Sequence, residues 1–197
     1  MRHRTRHLTP LWGVALVLGL AVAGCGSPVT RFAHPEVDFS FYETVGIVPF
    51  ESFGQDRLAG EKVTSVFFAE LLTQNFATVR EPGQFAAAIQ RVRGSGTTNL
   101  PWSAADLARL GSEAQVQGVF TGTVRDYEMT SVGRSMYPLV SIEIRLLDTS
   151  TGNLVWSAST TRRGGPAMPF MGWREVHTLG ELTTAVCRQL LETVPAQ

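Results

Sequence analysis

The sequence has few cysteines and no excess of positive charge, so it lacks the features of a disulfide-rich protein or of a protein that binds nucleic acid. Among 197 residues there are two cysteines, Cys25 and Cys187, and four histidines. Basic and acidic residues number 17 each, so the basic surplus typical of a nucleic-acid binder is missing. A hydrophobic content of 44% with 11 phenylalanines is enough for an ordinary globular core, and the length allows about one domain.

The motifs of common catalytic and metal sites are missing as well. The sequence contains no H-E-x-x-H, C-x-x-C, EF-hand, P-loop or G-x-S-x-G pattern. Gly94-Ser95-Gly96 resembles part of a dinucleotide fingerprint, but it follows a predicted helix instead of a strand. His34 and His177 are interpreted as surface residues. We therefore predict no catalytic residue, metal, cofactor or nucleic-acid partner, and a protein that is not an enzyme.

The N-terminus carries the strongest pattern in the chain. Three arginines precede an uncharged, mostly apolar stretch over residues 11–24, which at 14 residues is shorter than the roughly 20 needed to span a membrane. It ends in VAGC at residues 22–25, which resembles a bacterial lipobox. We predict a lipoprotein signal peptide over residues 1–24, cleavage between Gly24 and Cys25, and a diacylglycerol on Cys25; the alternative is an ordinary signal with a chance cysteine.

The predicted anchor also sets a location and a net charge. Gly26 and Ser27 after the cysteine are typical of outer-membrane sorting, so in a Gram-negative host we expect a lipid anchor on the periplasmic side of the outer membrane. Loss of three arginines leaves 14 basic against 17 acidic residues, a net charge of about −3. Residues 25–43 are interpreted as the lipidated cysteine and a short flexible leash. Cys187 then has no disulfide partner, and we expect it to be buried in a helix.

Residues 44–194 are predicted to form a single α/β domain. Apolar positions at helical spacing alternate with short strands in the first half, and period-two patterns fill the second half. We expect one mixed sheet of about five strands, ending in an antiparallel three-strand meander, with about four helices packed on it. The predicted strands are residues 45–50, 77–80, 117–127, 139–147 and 154–161, and the predicted helices are residues 58–76, 84–93, 103–110 and 175–194.

Several residues of this domain have specific expectations. Val140, Ile142, Ile144 and Leu146 alternate with polar residues and should face the core, as should Trp156 on the next strand. Gly118 and Gly122 share one face of a strand. They allow a helix or an aromatic ring to approach closely, and the alternative is a ligand slot.

One segment is predicted to contact a partner or the membrane. Residues 166–173 read PAMPFMGW and lack a helix or strand pattern. Apolar residues on an irregular loop often mark an interaction surface. The predicted contact residues are Met168, Phe170, Met171 and Trp173, flanked by Arg163 and Arg174. The alternative is that this loop folds back and caps the sheet.

Four segments in this order resemble one family of bacterial lipoproteins. They are VGIVPF at residues 45–50, GVFTGTV at 118–124, IEIRLLD at 142–148 and the hairpin return LVWS at 154–157. Behind a lipobox, they resemble the CsgG/LpoB-like proteins, whose α/β domain is also similar to the TolB N-terminal domain. The resemblance covers residues 44–194 and implies a non-catalytic outer-membrane lipoprotein.

The family includes a secretion channel and an activator of peptidoglycan synthases. The channel members insert two long hairpins into the membrane, whereas residues 128–138 and 162–174 here hold 11 and 13 residues, too few for a spanning hairpin of about 20. The resemblance thus implies a lipid-anchored periplasmic binding or scaffolding module that engages another envelope protein, for example in cell-wall synthesis or export. The alternative is a structural subunit of a homo-oligomeric outer-membrane assembly.

Overall fold

Seven strands and four helices form the domain. The computed structural model describes residues 29–94, 101–165 and 175–195, and the counts here refer to these ranges. The strands are β1 (Thr30–Ala33), β2 (Thr44–Ile47), β3 (Glu51–Ser52), β4 (Thr78–Val79), β5 (Gly118–Val132), β6 (Ser135–Asp148) and β7 (Leu154–Arg163). The helices are α1 (Ala59–Gln74), α2 (Pro82–Arg93), α3 (Ala104–Ala114) and α4 (Leu179–Leu191), with a 3-10 turn at Phe39–Phe41. The predicted fold class is confirmed, with seven strands instead of about five.

All seven strands belong to one mixed sheet. The order is β1-β7-β6-β5-β2-β4, and the short β3 also pairs with β5. β2 is parallel to β4 and β5, because helices carry the chain back between these strands. β5, β6 and β7 are antiparallel neighbours, as expected for the predicted meander.

The two faces of the sheet are covered unequally. Helices α1 and α4 pack on one face and bury a large core that contains Phe67, Phe120 and Trp156. Helices α2 and α3 pack on the other face, where Phe85, Leu110 and Val119 belong to a smaller core. The predicted alternation of β6 is confirmed, since Val140, Ile142, Ile144 and Leu146 are all buried in the large core.

Side-chain caps determine where three of the helices begin. The Ser103 hydroxyl accepts a hydrogen bond from the Asp106 backbone N at 3.1 Å and so caps the N-terminus of α3. Glu81 caps α2 in the same way, and Thr178 caps α4. Helix α4 therefore begins at Leu179, later than the predicted Glu175.

Part of the segment predicted as a leash belongs to the sheet. The sequence predicts a flexible segment over residues 25–43. In the structure, Thr30–Ala33 form the edge strand β1, which pairs antiparallel with β7. The next residue continues this pairing, since the His34 backbone N donates to the Val155 carbonyl at 2.9 Å. The 3-10 turn that follows buries Phe39. β1 is held by backbone hydrogen bonds to β7. Such bonds require no alternation of apolar and polar side chains, so the sequence pattern did not indicate this strand.

The β5–β6 hairpin is longer than predicted. Both strands continue through residues 128–138, which we call the arm, to a two-residue turn at Gly133-Arg134. Gly133 has a φ of 63°, whereas Arg134 has an ordinary negative φ. This combination is typical of a type II′ turn, whose twist suits a hairpin. The arm is therefore a direct extension of the sheet.

Candidate contact surfaces

The arm, the start of β1 and the end of β7 lie at the same end of the sheet, which we call the arm end. β1 and β6 are both antiparallel to β7, so they run in the same direction. Thr30 pairs with Ser159, and Ser159 pairs with Glu143 of β6. β1 therefore begins at the end where the arm projects, and Cys25 is five residues before Thr30 in the sequence.

The described residues on either side of the predicted contact segment lie at the arm end. Gly164 N donates to the Pro138 carbonyl at 2.8 Å, and Val176 N donates to the Gly165 carbonyl at 3.3 Å. Arg163, the last residue of β7, is exposed and pairs with Leu139. The other predicted contact residues, Met168, Phe170, Met171, Trp173 and Arg174, lie outside the described residues, as do Gly24 and Cys25.

One face of the arm is covered by the chain that follows this segment. The Tyr137 ring is buried and stacks on His177 with a centroid distance of 5.6 Å and an interplanar angle of 13°. The His177 Nε2 is 2.9 Å from a Glu175 carboxylate oxygen. His177 thus lies at the surface as expected, where it joins residues 175–178 to the arm.

The opposite face of the arm is apolar and open. Met129 is 40% exposed and Met136 is 51% exposed, and they are diagonal neighbours because Met129 pairs with Pro138 and Ser131 pairs with Met136. Ser131 Oγ donates to Met136 Sδ at 3.3 Å. We call Met129 and Met136 the methionine pair. The methionine pair was not among the predicted contact residues, although the alternation of Tyr127, Met129 and Ser131 before a Gly133-Arg134 turn is a signal for a longer hairpin.

The face that carries the methionine pair continues along β5 towards helix α1. Tyr127, which precedes Met129 on this face, carries the Lys62 ammonium 5.6 Å from its ring centroid. Lys62 is itself paired with Asp56 at 2.6 Å. The aromatic ring of Tyr127 is therefore covered by a cationic side chain, whereas the two methionines beyond it are left uncovered.

A groove lies between α1 and α2, where β2 and β4 end. Its cavity volume is about 360 Å³, and its apolar lining comes from Ile47, Pro49, Phe68, Ala86 and Ile89. In sheets of this kind, ligands commonly bind at the carboxyl ends of parallel strands where the chain switches faces. The volume is within the range of small-molecule sites. The groove is thus a second candidate binding surface, one that the sequence did not indicate.

The polar groups of this groove are few and mostly occupied. The Thr64 hydroxyl donates to the Gly60 carbonyl at 2.7 Å and accepts from Phe50 N at 2.8 Å. Arg80 Nη2 donates to the Gln115 carbonyl at 3.0 Å, while its buried Nε has no partner among the described residues. Glu61 supplies one exposed carboxylate. The groove can therefore bind an apolar group, but these residues do not form a nucleophile with an adjacent base.

Neither the remaining thiol nor the acidic residues form a reactive centre in the described ranges. Cys187 is buried as predicted, and burial together with the nearby Glu70 charge raises the pKa of its thiol to about 12. No group of three or more His, Cys, Asp or Glu residues is arranged to hold a metal ion in this part of the chain. None of the described helices has the length and apolar character required to cross a bilayer.

Gly118 and Gly122 accommodate aromatic rings of the protein itself. A Cβ atom at Gly122 would lie 2.8 Å from the Phe50 ring, and one at Gly118 would lie 2.9 Å from the Tyr42 ring. The expected close approach of an aromatic ring is confirmed at both positions. Since Phe50 and Tyr42 occupy the space beside these glycines, the alternative ligand slot is wrong.

Comparison with known proteins identifies the fold but no family. No model of a known protein family matches the sequence, and no curated protein matches it. Among solved structures, the PelC dodecamer from Paraburkholderia phytofirmans is 21% identical, with a TM-score of 0.58 over 87% of this chain and 99% of that chain. A variant of the same dodecamer gives a TM-score of 0.60 at 20% identity, over 87% of this chain and 100% of the other.

Two further solved structures match at low identity. Lipoprotein GNA1162 from Neisseria meningitidis is 22% identical, with a TM-score of 0.50 over 76% of this chain and 99% of that chain. The LpoB C-terminal domain from Escherichia coli is 13% identical, with a TM-score of 0.47 over 61% and 82% of the two chains, which is too low to carry a conclusion. PelC and GNA1162 thus share the fold of this chain, and membership of the CsgG/LpoB-like family stays a prediction.

Proposed function

We propose that this chain is a lipid-anchored, non-catalytic binding and scaffolding module of the bacterial envelope that engages another envelope protein. The observation that carries the proposal is the position of the lipobox cysteine, five residues before the first strand of a folded domain. In this proposal residues 1–24 are removed, Cys25 receives the lipid, and the domain stands on the periplasmic side of the outer membrane of a Gram-negative host.

The surfaces and the comparisons support a binding role. The described residues offer an apolar groove and an open arm face, and their histidines make structural contacts. GNA1162, which shares the fold, is a lipoprotein. Residues 166–173, whose described flanking residues lie at the arm end, remain our proposed contact with the partner, through Met168, Phe170, Met171 and Trp173 with Arg163 and Arg174 beside them.

The anchor is tested by the substitution Cys25→Ala. Since the lipid is attached through this thiol, the variant should lose labelling by radioactive palmitate and should leave the membrane fraction. Cys187→Ala is the matched control, because this buried thiol should not carry lipid, and labelling should persist. Lipid labelling that survives Cys25→Ala contradicts the proposed anchor.

A second candidate is a structural subunit of a homo-oligomeric outer-membrane assembly. The observation in its favour is that PelC, a chain matched over 99% of its length, forms a dodecamer. The two forms are separated by mild crosslinking in membranes, followed by mass determination. A crosslinked product containing a different envelope protein supports the first form, and a ladder of multiples of this chain supports the second.

A further inference from the structure

We propose that the methionine pair of the arm, Met129 and Met136, rests in the lipid interface of the membrane to which the chain is anchored. The proposal rests on lipidation of Cys25, which is part of the proposed function. It adds a second membrane contact, made by the folded domain itself, and it names lipid as the substance that covers the open face of the arm.

The arm extends far beyond the start of β1. Thr30 is level with Glu143 across the sheet, through Ser159. Met136 is seven residues before Glu143 on β6, and an antiparallel strand rises by about 3.4 Å per residue. Met136 thus projects about 24 Å beyond the level of Thr30, past the end of the sheet at which β1 begins.

The chain between Cys25 and Thr30, which we call the tether, limits the distance between the domain and the membrane. Five residues separate Cys25 from Thr30, and a fully extended chain spans at most about 3.3–3.6 Å per residue. The Cα atom of Cys25 therefore lies no more than about 18 Å from Thr30, even when the chain is stretched. The arm is longer than the tether, so the domain cannot stand upright on its anchor without the tip of the arm reaching the membrane.

The tip of the arm combines apolar side chains with a cationic one. Met129 and Met136 present flexible, unbranched apolar side chains, which adapt to irregular surroundings such as acyl chains. Arg134 occupies the turn beyond them and is exposed, so its guanidinium can meet lipid phosphates. An apolar pair beside a cationic group is the composition of segments that lie at membrane interfaces.

The orientation of the open face agrees with lipid as the occupant. The other face of the arm carries buried Tyr137 and its stacking partner His177, so the protein already covers that side. Only the face with the methionine pair lacks a covering element among the described residues. A second copy of this chain is the competing occupant, and the experiment below separates it from lipid.

The test uses the full lipidated chain in vesicles of phosphatidylethanolamine and phosphatidylglycerol. A fluorescent NBD probe is attached to Met136→Cys, and in a second variant to Met129→Cys. The labelling is selective, because lipid occupies the Cys25 thiol and the Cys187 thiol is buried with a raised pKa. Asn153→Cys is the matched control, since Asn153 is exposed in the β6–β7 turn at the opposite end of the sheet.

We expect the emission of the probe at Met136 to shift to shorter wavelength on vesicles. Vesicles that contain nitroxide-labelled lipids should quench it at least two-fold more than the probe at Asn153. If the protein is anchored but both probes are quenched equally weakly, the methionine pair does not contact lipid. This result overturns the proposal and leaves the proposed function intact. A shift that appears without vesicles and rises with protein concentration assigns the face to a second copy and also overturns it. Absence of lipid on Cys25 contradicts the proposed function and removes the tether on which this proposal depends.

Discussion

Trp156 lies at the centre of the large core, and its loss should destabilise the domain strongly. The side chain is fully buried, packs edge-on against Phe120 and donates through Nε1 to the Thr193 carbonyl at 3.3 Å. Replacement of a buried aromatic by alanine typically costs about 3–5 kcal/mol. Trp156→Ala should therefore lower the melting temperature by roughly 10 °C in a calorimetric scan.

The control for this substitution is an exposed aromatic residue. Phe53 is 70% exposed, so Phe53→Ala should change the free energy of unfolding by less than about 0.5 kcal/mol. If both variants melted together with the unmodified protein, Trp156 would not be a core residue.

Asp148 organises the β6–β7 turn, and its charge should make stability depend on pH. One carboxylate oxygen accepts from the backbone N and the hydroxyl of both Ser150 and Thr151, and the other accepts from the Tyr42 hydroxyl at 3.1 Å. Burial acts to raise the pKa of Asp148, but these hydrogen bonds together hold it below its ordinary value.

The sign of the effect follows from that lowered pKa. The stabilisation is fully present above the unfolded pKa of about 3.9 and is lost as the pH falls through the lower folded value. Asp148→Asn should reduce the free energy of unfolding by about 1–3 kcal/mol at pH 7, because the remaining bonds lose the charge of the carboxylate and the amide nitrogen cannot accept from the Tyr42 hydroxyl. In urea denaturation the gap between the two proteins should shrink from pH 7 to pH 2; a constant gap contradicts this role.

At the residue scale, the sequence was informative wherever a regular pattern met a buried surface. Ile144 and Trp156 were predicted to be core residues because apolar and polar positions alternate on their strands, and both are fully buried. Met129 and Met136 belong to the same kind of alternation, but they extend past the helices that cover the sheet. Sequence periodicity assigns a residue to a face, and it does not say where the covering layer stops.

At the scale of elements, Gly60 of α1 and Gly180 of α4 each occupy the second position of a helix and should respond oppositely to alanine. A Cβ atom at Gly60 of α1 would lie 2.0 Å from the Phe50 carbonyl oxygen, whereas one at Gly180 of α4 would meet nothing within 4 Å. Gly60→Ala must displace backbone, so we expect a loss of several kcal/mol. Gly180→Ala should be neutral or stabilising by up to about 1 kcal/mol, because alanine favours the helix.

Thermal melts of both glycine variants check this pair. The comparison is matched, since both residues occupy the first turn of a helix that covers the same face of the sheet. Equal melting temperatures for the two variants would show that α1 does not approach Phe50 so closely.

The elements that sequence analysis missed share a physical cause. β1 lies between Pro28 and Pro35 and lacks alternation, and β3 is only two residues long, so neither carries a side-chain pattern. Both are held by backbone hydrogen bonds to strands that are distant in sequence. The arm lies between the predicted strands, which end at residue 127 and begin again at residue 139, and glycine is what the first position of its turn requires.

At the scale of the whole molecule, three separate parts of the chain meet at one end. β1 begins there, the arm projects there, and the described residues on either side of residues 166–174 lie there. The opposite end carries the β6–β7 turn and the start of α3, which touch where a Cβ atom at Gly152 would meet Ala104. This division would place the membrane-directed groups at the arm end and leave the groove and the opposite end accessible to the periplasm.

The segment at residues 166–173 has two interpretations that predict opposite results. Its aromatic residues lie outside the described ranges, so the sequence alone supports a contact role or a capping role. If Phe170 and Trp173 contact a partner, the double variant Phe170→Ser with Trp173→Ser should keep its free energy of unfolding within about 0.5 kcal/mol. It should also lose the crosslinked partner, because aromatic anchors dominate interface energies.

If the same residues cap the core, the double variant should lose several kcal/mol of stability. Leu72→Ser provides the control, since Leu72 is 52% exposed on α1 and should affect neither measurement. The melting temperature and the crosslink are measured on the same membranes. A large drop in stability excludes the contact role whatever happens to the crosslink, because a domain that unfolds loses its partners through loss of structure and not through loss of a contact.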